Sequence, residues 1–148
     1  LKSLFKNICI SSDHAGFKLK ESIKSYLINK GKIFIMDLGP IDENSVDYPD
    51  YAKKVAKRIK SKKSDMGILV CGSGTGMSMT ANKYKGIRAA VCYNEASTRL
   101  SRQHNNANII ALGSRLTKKN KVFKLIKIFL STKFEGGRHK RRVRKLDV

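Results

Sequence analysis

The chain has 148 residues, of which 32 are Lys or Arg and 11 are Asp or Glu, so its formal net charge is +21. The length suffices for one domain with a hydrophobic core, and the absence of any apolar run of about 18 residues excludes a transmembrane helix. The three cysteines form no CxxC pair and the first residues lack the pattern of a secretion signal, so we expect a cytoplasmic protein without disulfides or a metal site.

Short apolar runs alternate with amphipathic stretches along the chain, which indicates strands and helices in turn. In chain order the sequence predicts a strand at 7–11, a helix at about 16–29, a strand at 32–37, a helix at 51–60, a strand at 66–70, a helix ending at 82, a strand at 87–91, a helix at 95–104, a strand at 108–112, a helix at 118–130 and a short helix from about 138. The apolar side chains that share one face of the first helix are Phe17, Ile23, Leu27 and Ile28. The lysines between such apolar positions are expected to form a solvated surface.

This alternation predicts a five-stranded parallel sheet covered on both faces, a three-layer α/β/α sandwich of the Rossmann-like type. Residues 1–148 are expected to form one domain, with a basic tail at 132–148. Ligands of such sheets bind outside the carboxyl ends of the strands. The polar segments 11–16, 71–76 and 113–115 each follow a predicted strand, so we expect them to meet at one edge of the sheet.

The segment ILVCGSGTGMS, residues 68–78, carries a cysteine and three alternating glycines at the end of a predicted strand. Its spacing does not fit the GxGxxG dinucleotide motif, the GxxxxGK[ST] phosphate loop or the GxSxG nucleophile elbow. What remains is a loop of unhindered backbone N–H groups before a helix N-terminus, where negative charge is stabilised. That charge is either the Cys71 thiolate, acting as a base, or an oxyanion on a substrate carbonyl. A buried, inert Cys71 that ends a core strand is the competing interpretation.

The histidines are candidates for acid–base chemistry. His14 lies beside Asp13 at the end of the first strand, His104 lies before the fifth strand, and His139 lies in the basic tail. Two of the three therefore fall at predicted turns along the sheet edge, where a titrating side chain can reach a ligand. Structural or solvated histidines are the competing interpretation.

Arginines provide candidates for phosphate binding. Arg138 and Arg142 are four residues apart, so on a helix they point the same way and can bind one phosphate together. Arg115, just after the fifth strand, is a third candidate. The competing interpretation is a generic basic tail.

Six blocks of the sequence closely resemble the ribose-5-phosphate isomerase B family and its galactose-6-phosphate isomerase relatives. They are SSDHAGFKLK, DYPDYA, GILVCGSGTGMS, ANKYKGIRAA, SRQHNNANIIALGSR and FEGGRHKRRV, and they occur in family order. Together they run from about residue 8 to 143. Their combined specificity is high, although no single block would suffice.

The resemblance implies a cofactor-free aldose–ketose isomerase that interconverts ribose 5-phosphate and ribulose 5-phosphate through a cis-enediolate, a step of the pentose phosphate pathway. It also implies a homodimer in which each site is built from both subunits, and it leaves a tetramer open. One branch of the family uses a cysteine as the base, and the other has a serine there and a glutamate four residues later. This chain has Cys71 and Thr75 at these positions, so it matches the cysteine branch.

The resemblance assigns Cys71 as the base that moves a proton between C2 and C1, and Ser73 with the glycine-loop amides as the donors that hold the enediolate oxygens. It implies that His104 opens the furanose ring, with Asp13 either helping that step or hydrogen-bonding sugar hydroxyls. The other residues implied to bind substrate are Asn105 at the enediolate, His14, Arg138 and Arg142 at the phosphate, Arg115 at the phosphate from the facing subunit, Tyr48 lining the site, and Gly72, Gly74, Thr75 and Gly76 in the loop.

Two alternatives stay open at the level of the sequence. A related isomerase acting on a six-carbon substrate, allose or galactose 6-phosphate, would carry the same motif residues. A basic nucleic-acid-binding protein would use the +21 charge, which by itself supports nonspecific polyanion binding. Aromatic residues make up only 7% of the chain and no nucleic-acid-binding motif is found, which disfavours this second class.

Overall fold

The computed structural model describes residues 1–147, so Val148, the last residue of the expected domain, lies outside the described residues. The elements are β1 (Asn7–Ser12), α1 (Phe17–Ile28), β2 (Phe34–Asp37), α2 (Tyr48–Lys60), β3 (Met66–Cys71), α3 (Thr75–Ala81), β4 (Ala89–Val91), α4 (Glu95–Gln103), β5 (Ile109–Gly113), α5 (Lys119–Ser131) and α6 (Arg138–Arg144). None of the helices within residues 1–147 combines the length and the apolar character needed to cross a lipid bilayer.

The five strands form one parallel sheet in the order β2-β1-β3-β5-β4. Its register sets Ile8 beside Met66 and Cys71 beside Gly113. Helices cover both faces, which confirms the predicted three-layer α/β/α sandwich. From β1 the chain adds β2 on one side and β3 on the other, so the strand order reverses between β1 and β3. Folds of this type bind ligands at the carboxyl end of that gap.

Side chains along the central strand alternate between two apolar clusters, one on each face of the sheet. Ile68 and Val70 of β3 belong to the cluster under α1 and α5, whereas Leu69 and Cys71 belong to the cluster under α2 and α3. Because both faces are covered, β3 is buried along its whole length. This is why its sequence is one continuous apolar run and does not alternate with polar residues.

The buried face of α1 differs from the predicted one. Ile23 is fully buried as expected, but Ile28 is 64% exposed, and the fully buried Lys20 takes a place on the inner face. The prediction that the helical lysines form a solvated surface is therefore wrong for Lys20. Its Nζ donates to the two carboxylate oxygens of Asp37 at 2.9 and 2.7 Å and to the Pro40 carbonyl at 3.0 Å, which joins α1 to the end of β2.

Several element ends lie a few residues from their predicted positions. α2 begins at Tyr48, because Pro49 is accommodated in the first helical turn, where its missing N–H costs no hydrogen bond. β3 and β5 each end one residue later than predicted, at Cys71 and Gly113. Cys71 is therefore the last residue of a strand, and the glycine loop begins at Gly72.

Candidate active site

The three polar segments after β1, β3 and β5 meet at one edge of the sheet, as the sequence predicted. The Asp13 N–H donates to the Val70 carbonyl at 3.1 Å, and the Ser114 N–H donates to the Cys71 carbonyl at 2.8 Å. The Ser114 hydroxyl also donates to the Ala15 carbonyl at 2.8 Å. These bonds fix the end of each strand against its neighbours, so the side chains beyond them face a common surface.

Glycines allow the loop after β3 to pack directly on the end of β5. Gly74 has a φ of +80°, in the left-handed region that other residues rarely adopt. A Cβ on Gly113 would lie 2.9 Å from the Ser73 backbone, so only a glycine permits this approach. The resulting turn brings the Gly74 N–H within 3.1 Å of the Cys71 sulfur, to which it donates a hydrogen bond.

Cys71 borders a pocket at this edge, between the segments that follow β1, β3 and β5. The residue is only 5% exposed, yet it is one of those that line a cavity of about 300 Å³. The lining residues are Asp13, Tyr48, Cys71, Gly72, Ser73, Gly76, Arg115 and Leu116. We call this cavity the thiol pocket. Its position argues against the interpretation of Cys71 as an inert core residue.

The other polar groups of the thiol pocket are held by short local contacts. Asp13 is buried, and its Oδ1 accepts a hydrogen bond from the Gly16 N–H at 2.9 Å. The Tyr48 ring packs over Gly76, where a Cβ would lie 2.7 Å from the ring. Ser73 uses its Oγ to accept from the Thr75 N–H at 3.2 Å. These contacts orient a carboxylate, a phenol and a hydroxyl around the sulfur.

A second group of the predicted residues lines a different cavity. The lining residues of this cavity, of about 290 Å³, are His104, Asn105, His139, Arg142, Val143 and Leu146. We call it the histidine pocket. It shares no lining residue with the thiol pocket. One chain therefore brings Cys71, Asp13, Ser73 and Arg115 together, and keeps His104, Asn105 and Arg142 in a separate place.

Four predicted residues line neither of these two pockets in the described part of the chain. Gly74 and Thr75 lie in the turn behind Cys71, at the start of α3. His14 follows Asp13, and its Nδ1 accepts a hydrogen bond from the Val46 N–H at 3.2 Å. Arg138 is the first residue of α6, the short helix that also carries Arg142.

The histidine pocket contains two residues whose proximity the sequence analysis missed. The rings of His104 and His139 stack with centroids 4.2 Å apart and planes 10° apart. Glu135 places its Oε2 3.9 Å from His104 Nε2 and 3.6 Å from His139 Nε2. Burial lowers the pKa of His139, and the neighbouring His104 and Arg138 lower it further. The only signal available in the sequence was that Glu135 and His139 are four residues apart.

The other two cysteines line neither the thiol pocket nor the histidine pocket. Cys9 and Cys92 are both fully buried. Burial raises the pKa of the Cys9 thiol to about 11, and burial also raises the pKa of Cys92. Thiolates, which are the reactive form, are therefore suppressed at both positions.

Fold and site together define the class of protein: a Rossmann-like α/β protein with a thiol-containing site where the strand order reverses. The sequence profile of the Ribose/Galactose Isomerase family matches residues 8–146. The chain belongs to this family, which confirms the resemblance found in the sequence.

Named relatives cover nearly the whole chain. Ribose-5-phosphate isomerase B of Escherichia coli is 42% identical over 138 residues, which are 93% of this chain and 92% of that protein. A crystal structure of a Thermotoga maritima ribose 5-phosphate isomerase is 56% identical, with a TM-score of 0.92, covering 95% of this chain and 96% of that one. The crystal structure of Mycoplasma genitalium ribose-5-phosphate isomerase B with bound ribulose-5-phosphate is 45% identical, with a TM-score of 0.89, covering 95% and 93%.

Proposed function

We propose that this protein is a ribose-5-phosphate isomerase that interconverts ribose 5-phosphate and ribulose 5-phosphate. Support comes from relatives of that name that align over nearly its whole length, one of them with bound ribulose-5-phosphate. Within this chain, the observation that carries the proposal is the Cys71 sulfur in the wall of the thiol pocket, with the Gly74 N–H donating to it at 3.1 Å.

In this proposal Cys71 is the base. Its thiolate takes the proton from C2 of the open-chain aldose, and the electron pair forms the C1–C2 double bond of a cis-enediolate. The same proton returns to C1, while O1 gains a proton and O2 loses one, which gives the ketose. One sulfur serves both carbons because they are adjacent. The hydrogen bond from the Gly74 N–H orients the sulfur in the pocket wall.

The glycine loop stabilises the charge that develops during the reaction. A C–H group next to a carbonyl is weakly acidic, so the barrier falls mainly by stabilising the enediolate oxygens. The Ser73 hydroxyl and the backbone amides of Gly72, Ser73 and Gly76 are the donors that this chain offers at the thiol pocket. The Gly74 and Thr75 N–H groups already donate to Cys71 and Ser73. The Tyr93 hydroxyl holds the loop in place by donating to the Ser73 carbonyl at 2.9 Å.

We further propose a homodimer in which the thiol pocket of one subunit faces the histidine pocket of the other. The separation of the two pockets within one chain supports this arrangement. His104 of the partner subunit then opens the sugar ring, and the partner subunit's Asn105 binds the enediolate. Asp13 is the weaker candidate for ring opening because its Oδ1 already accepts the Gly16 N–H, and we assign it to the sugar hydroxyls.

The phosphate is assigned to basic groups that the two subunits contribute to the shared site. Arg115 lies in the thiol pocket beside Gly72, and His14 follows Asp13 of the same pocket. Arg142 lies in the histidine pocket, on the helix that Arg138 begins. In the dimer Arg115 therefore comes from the opposite subunit to Arg138 and Arg142. Binding a phosphate remote from the reacting carbons positions them and contributes energy to the transition state.

The remaining parts of the proposal concern the whole protein. Residues 1–148 act as one sugar-phosphate isomerase domain, and the basic tail at 132–148 completes the phosphate site. The enzyme needs no cofactor. It acts in the cytoplasm, where it catalyses a step of the pentose phosphate pathway. A tetramer would be a pair of such dimers.

The test is a pair of cysteine variants assayed with ribose 5-phosphate. Cys71→Ala is expected to lower kcat by about 10³-fold with KM little changed, because the base is lost and the phosphate contacts remain. Cys92→Ala, which removes a buried thiol away from the pocket, is the matched control and is expected to keep near-normal turnover. A Cys71→Ala protein that kept most of its rate would refute the assignment of the base.

A comparison of kcat/KM on ribose 5-phosphate, allose 6-phosphate and galactose 6-phosphate tests the substrate assignment. We expect the five-carbon substrate to be preferred. A higher kcat/KM on either six-carbon phosphate would assign the enzyme to that substrate and leave the proposed role of Cys71 unchanged.

A further inference from the structure

Three metal-binding side chains lie close together beside the histidine pocket, and two of them, His104 and His139, line it. The cluster consists of His104, Glu135 and His139, and one ligand atom from each lies within 4.8 Å of the others. Two imidazoles and one carboxylate form a donor set that proteins use for Zn²⁺. The expectation of no metal site was drawn from the spacing of the cysteines. It does not apply to this cluster, because the cluster contains no thiol.

The backbone that carries these side chains is fixed by hydrogen bonds. The Glu135 N–H donates to the Gln103 carbonyl at 3.1 Å, which joins the segment before α6 to the end of α4. The guanidinium of Arg102 reinforces this junction by donating to the Thr132 carbonyl at 3.2 Å. The cluster is therefore supported by two elements and does not depend on a single loop.

The cluster can close around an ion once the His104 ring rotates off its stack on His139, because an imidazole binds a metal in the plane of its ring. Zinc–nitrogen bonds of about 2.05 Å place tetrahedral ligands about 3.4 Å apart. Glu135 Oε2 already lies 3.6 and 3.9 Å from the two Nε2 atoms. The side chains of His104 and Glu135 are 38% and 49% exposed and have room to move, whereas His139 is buried and provides the fixed ligand.

The adjoining cavity leaves space for a further ligand. His104 and His139 both line the histidine pocket, whose volume of about 290 Å³ accommodates water beside the ion. Three protein ligands and an open position are typical of exchangeable zinc sites. Arg142 lines the same pocket and its positive charge opposes the ion. We therefore expect a reversible site, in contrast to a structural one.

We propose that the His104–Glu135–His139 cluster binds Zn²⁺, and that the bound ion inhibits the enzyme by occupying Nε2 of His104. The inhibitory half rests on the proposed function, in which His104 opens the sugar ring. The binding half stands on the cluster geometry alone.

Binding is tested by titrating Zn²⁺ into the purified Cys71→Ala full-length chain and measuring heat, so that the active-site thiol cannot act as the ligand. The Glu135→Gln change in the same background is expected to weaken binding by about tenfold or more, since it removes one ligand without changing side-chain size. Glu43→Gln is the matched control, because Glu43 is an exposed carboxylate whose salt bridge within residues 1–147 is to exposed Lys18. Equal affinities for the Glu135→Gln and Glu43→Gln proteins, or no zinc-dependent heat at all, would overturn the site.

Inhibition is tested with the wild-type chain and ribose 5-phosphate. Zn²⁺ is expected to reduce turnover, a chelator to restore it, and Glu135→Gln to require about tenfold more Zn²⁺ for the same loss. Glu135-dependent binding without loss of turnover would overturn the inhibitory half. Glu135-dependent binding by a wild-type chain that has no isomerase activity would instead overturn the proposed function and leave the metal site standing.

Discussion

At the scale of single residues, the three cysteines show how position decides chemistry. All three are buried, but only Cys71 borders the thiol pocket and accepts a hydrogen bond from a backbone N–H, that of Gly74, in the turn after the strand. Cys9 and Cys92 lie within strands or their ends against apolar neighbours. The same side chain therefore borders a pocket at one position and packs in the core at the other two.

This difference predicts selective labelling. One thiol per native chain, that of Cys71, is expected to react first with a thiol reagent, because Cys71 borders the thiol pocket, whereas burial raises the pKa of Cys9 to about 11 and also raises that of Cys92. Mass spectrometry of peptides from the labelled protein measures the site. Cys71→Ser should abolish the rapid phase, and unfolding should expose the other two thiols. Rapid labelling of Cys9 or Cys92 in the folded protein would contradict this interpretation.

At the scale of elements, the buried ion pair between α1 and the end of β2 is the main departure from the expected pattern. A fully buried ammonium is costly unless it is paired and hydrogen-bonded. Lys20 meets this condition through Asp37 and the Pro40 carbonyl. The pair fixes the start of the 38–47 loop, which leads to Tyr48 in the thiol pocket. The ion pair therefore contributes to the site by positioning the loop that leads to Tyr48.

Removing the carboxylate charge is expected to destabilise the fold. Asp37→Asn leaves Lys20 buried with the half-exposed Glu21, 2.9 Å from its Nζ, as its remaining carboxylate partner, and should lower the free energy of unfolding by about 2 kcal/mol. Glu43→Gln, at an exposed pair, should change it by less than about 0.5 kcal/mol. Urea denaturation of the three proteins measures the difference. Equal losses for both variants would show that the buried pair contributes no more than a surface one.

The ion pair of Lys20 and Asp37 also makes the stability of the fold depend on pH. Burial opposes ionisation of Asp37, but the hydrogen bonds from Lys20 and Lys24 outweigh burial and lower its pKa. The contribution of Asp37 to stability is therefore complete above its unfolded pKa of about 3.9 and is lost as the pH falls through the lower pKa of the folded state. The stability gap between wild type and Asp37→Asn should accordingly shrink in acid, and a gap that widened there would contradict the sign.

At the scale of the whole molecule, the two separate pockets are the feature that bears on assembly. Neither pocket alone holds both Cys71 and His104. A two-fold dimer can join them because it brings the same two surfaces together twice. The dimer remains a proposal, and it makes a specific prediction about mixed subunits.

Mixing two inactive variants is expected to restore activity. In a dimer of one Cys71→Ala and one His104→Asn subunit, one shared site carries both changes and the other carries neither. Random pairing of equal amounts should therefore recover about one quarter of wild-type turnover. Refolding the variants together and assaying ribose 5-phosphate measures it, with each variant refolded alone as the control. No recovery in a sample shown to contain mixed dimers would place Cys71 and His104 of one chain in one site.

The sequence by itself determined the fold class and one half of the site. Alternating patterns are local, so the five strands, the intervening helices and the sheet edge at which polar segments meet could all be predicted from neighbouring residues. Cys71 stood out for the same reason, because strand, cysteine and glycine loop are contiguous. The resemblance to a known family then supplied the roles that spacing alone left open.

Tertiary structure decided what depends on side chains distant in the sequence. The burial of Lys20 followed from Asp37 and Pro40 on a neighbouring strand end, which helical periodicity does not encode. The stacking of His104 on His139, with Glu135 Oε2 within 3.9 Å of both Nε2 atoms, required α6 to fold back on the end of α4. Local patterns specify which face of an element is apolar, whereas the packing of one element on another selects the polar groups that meet.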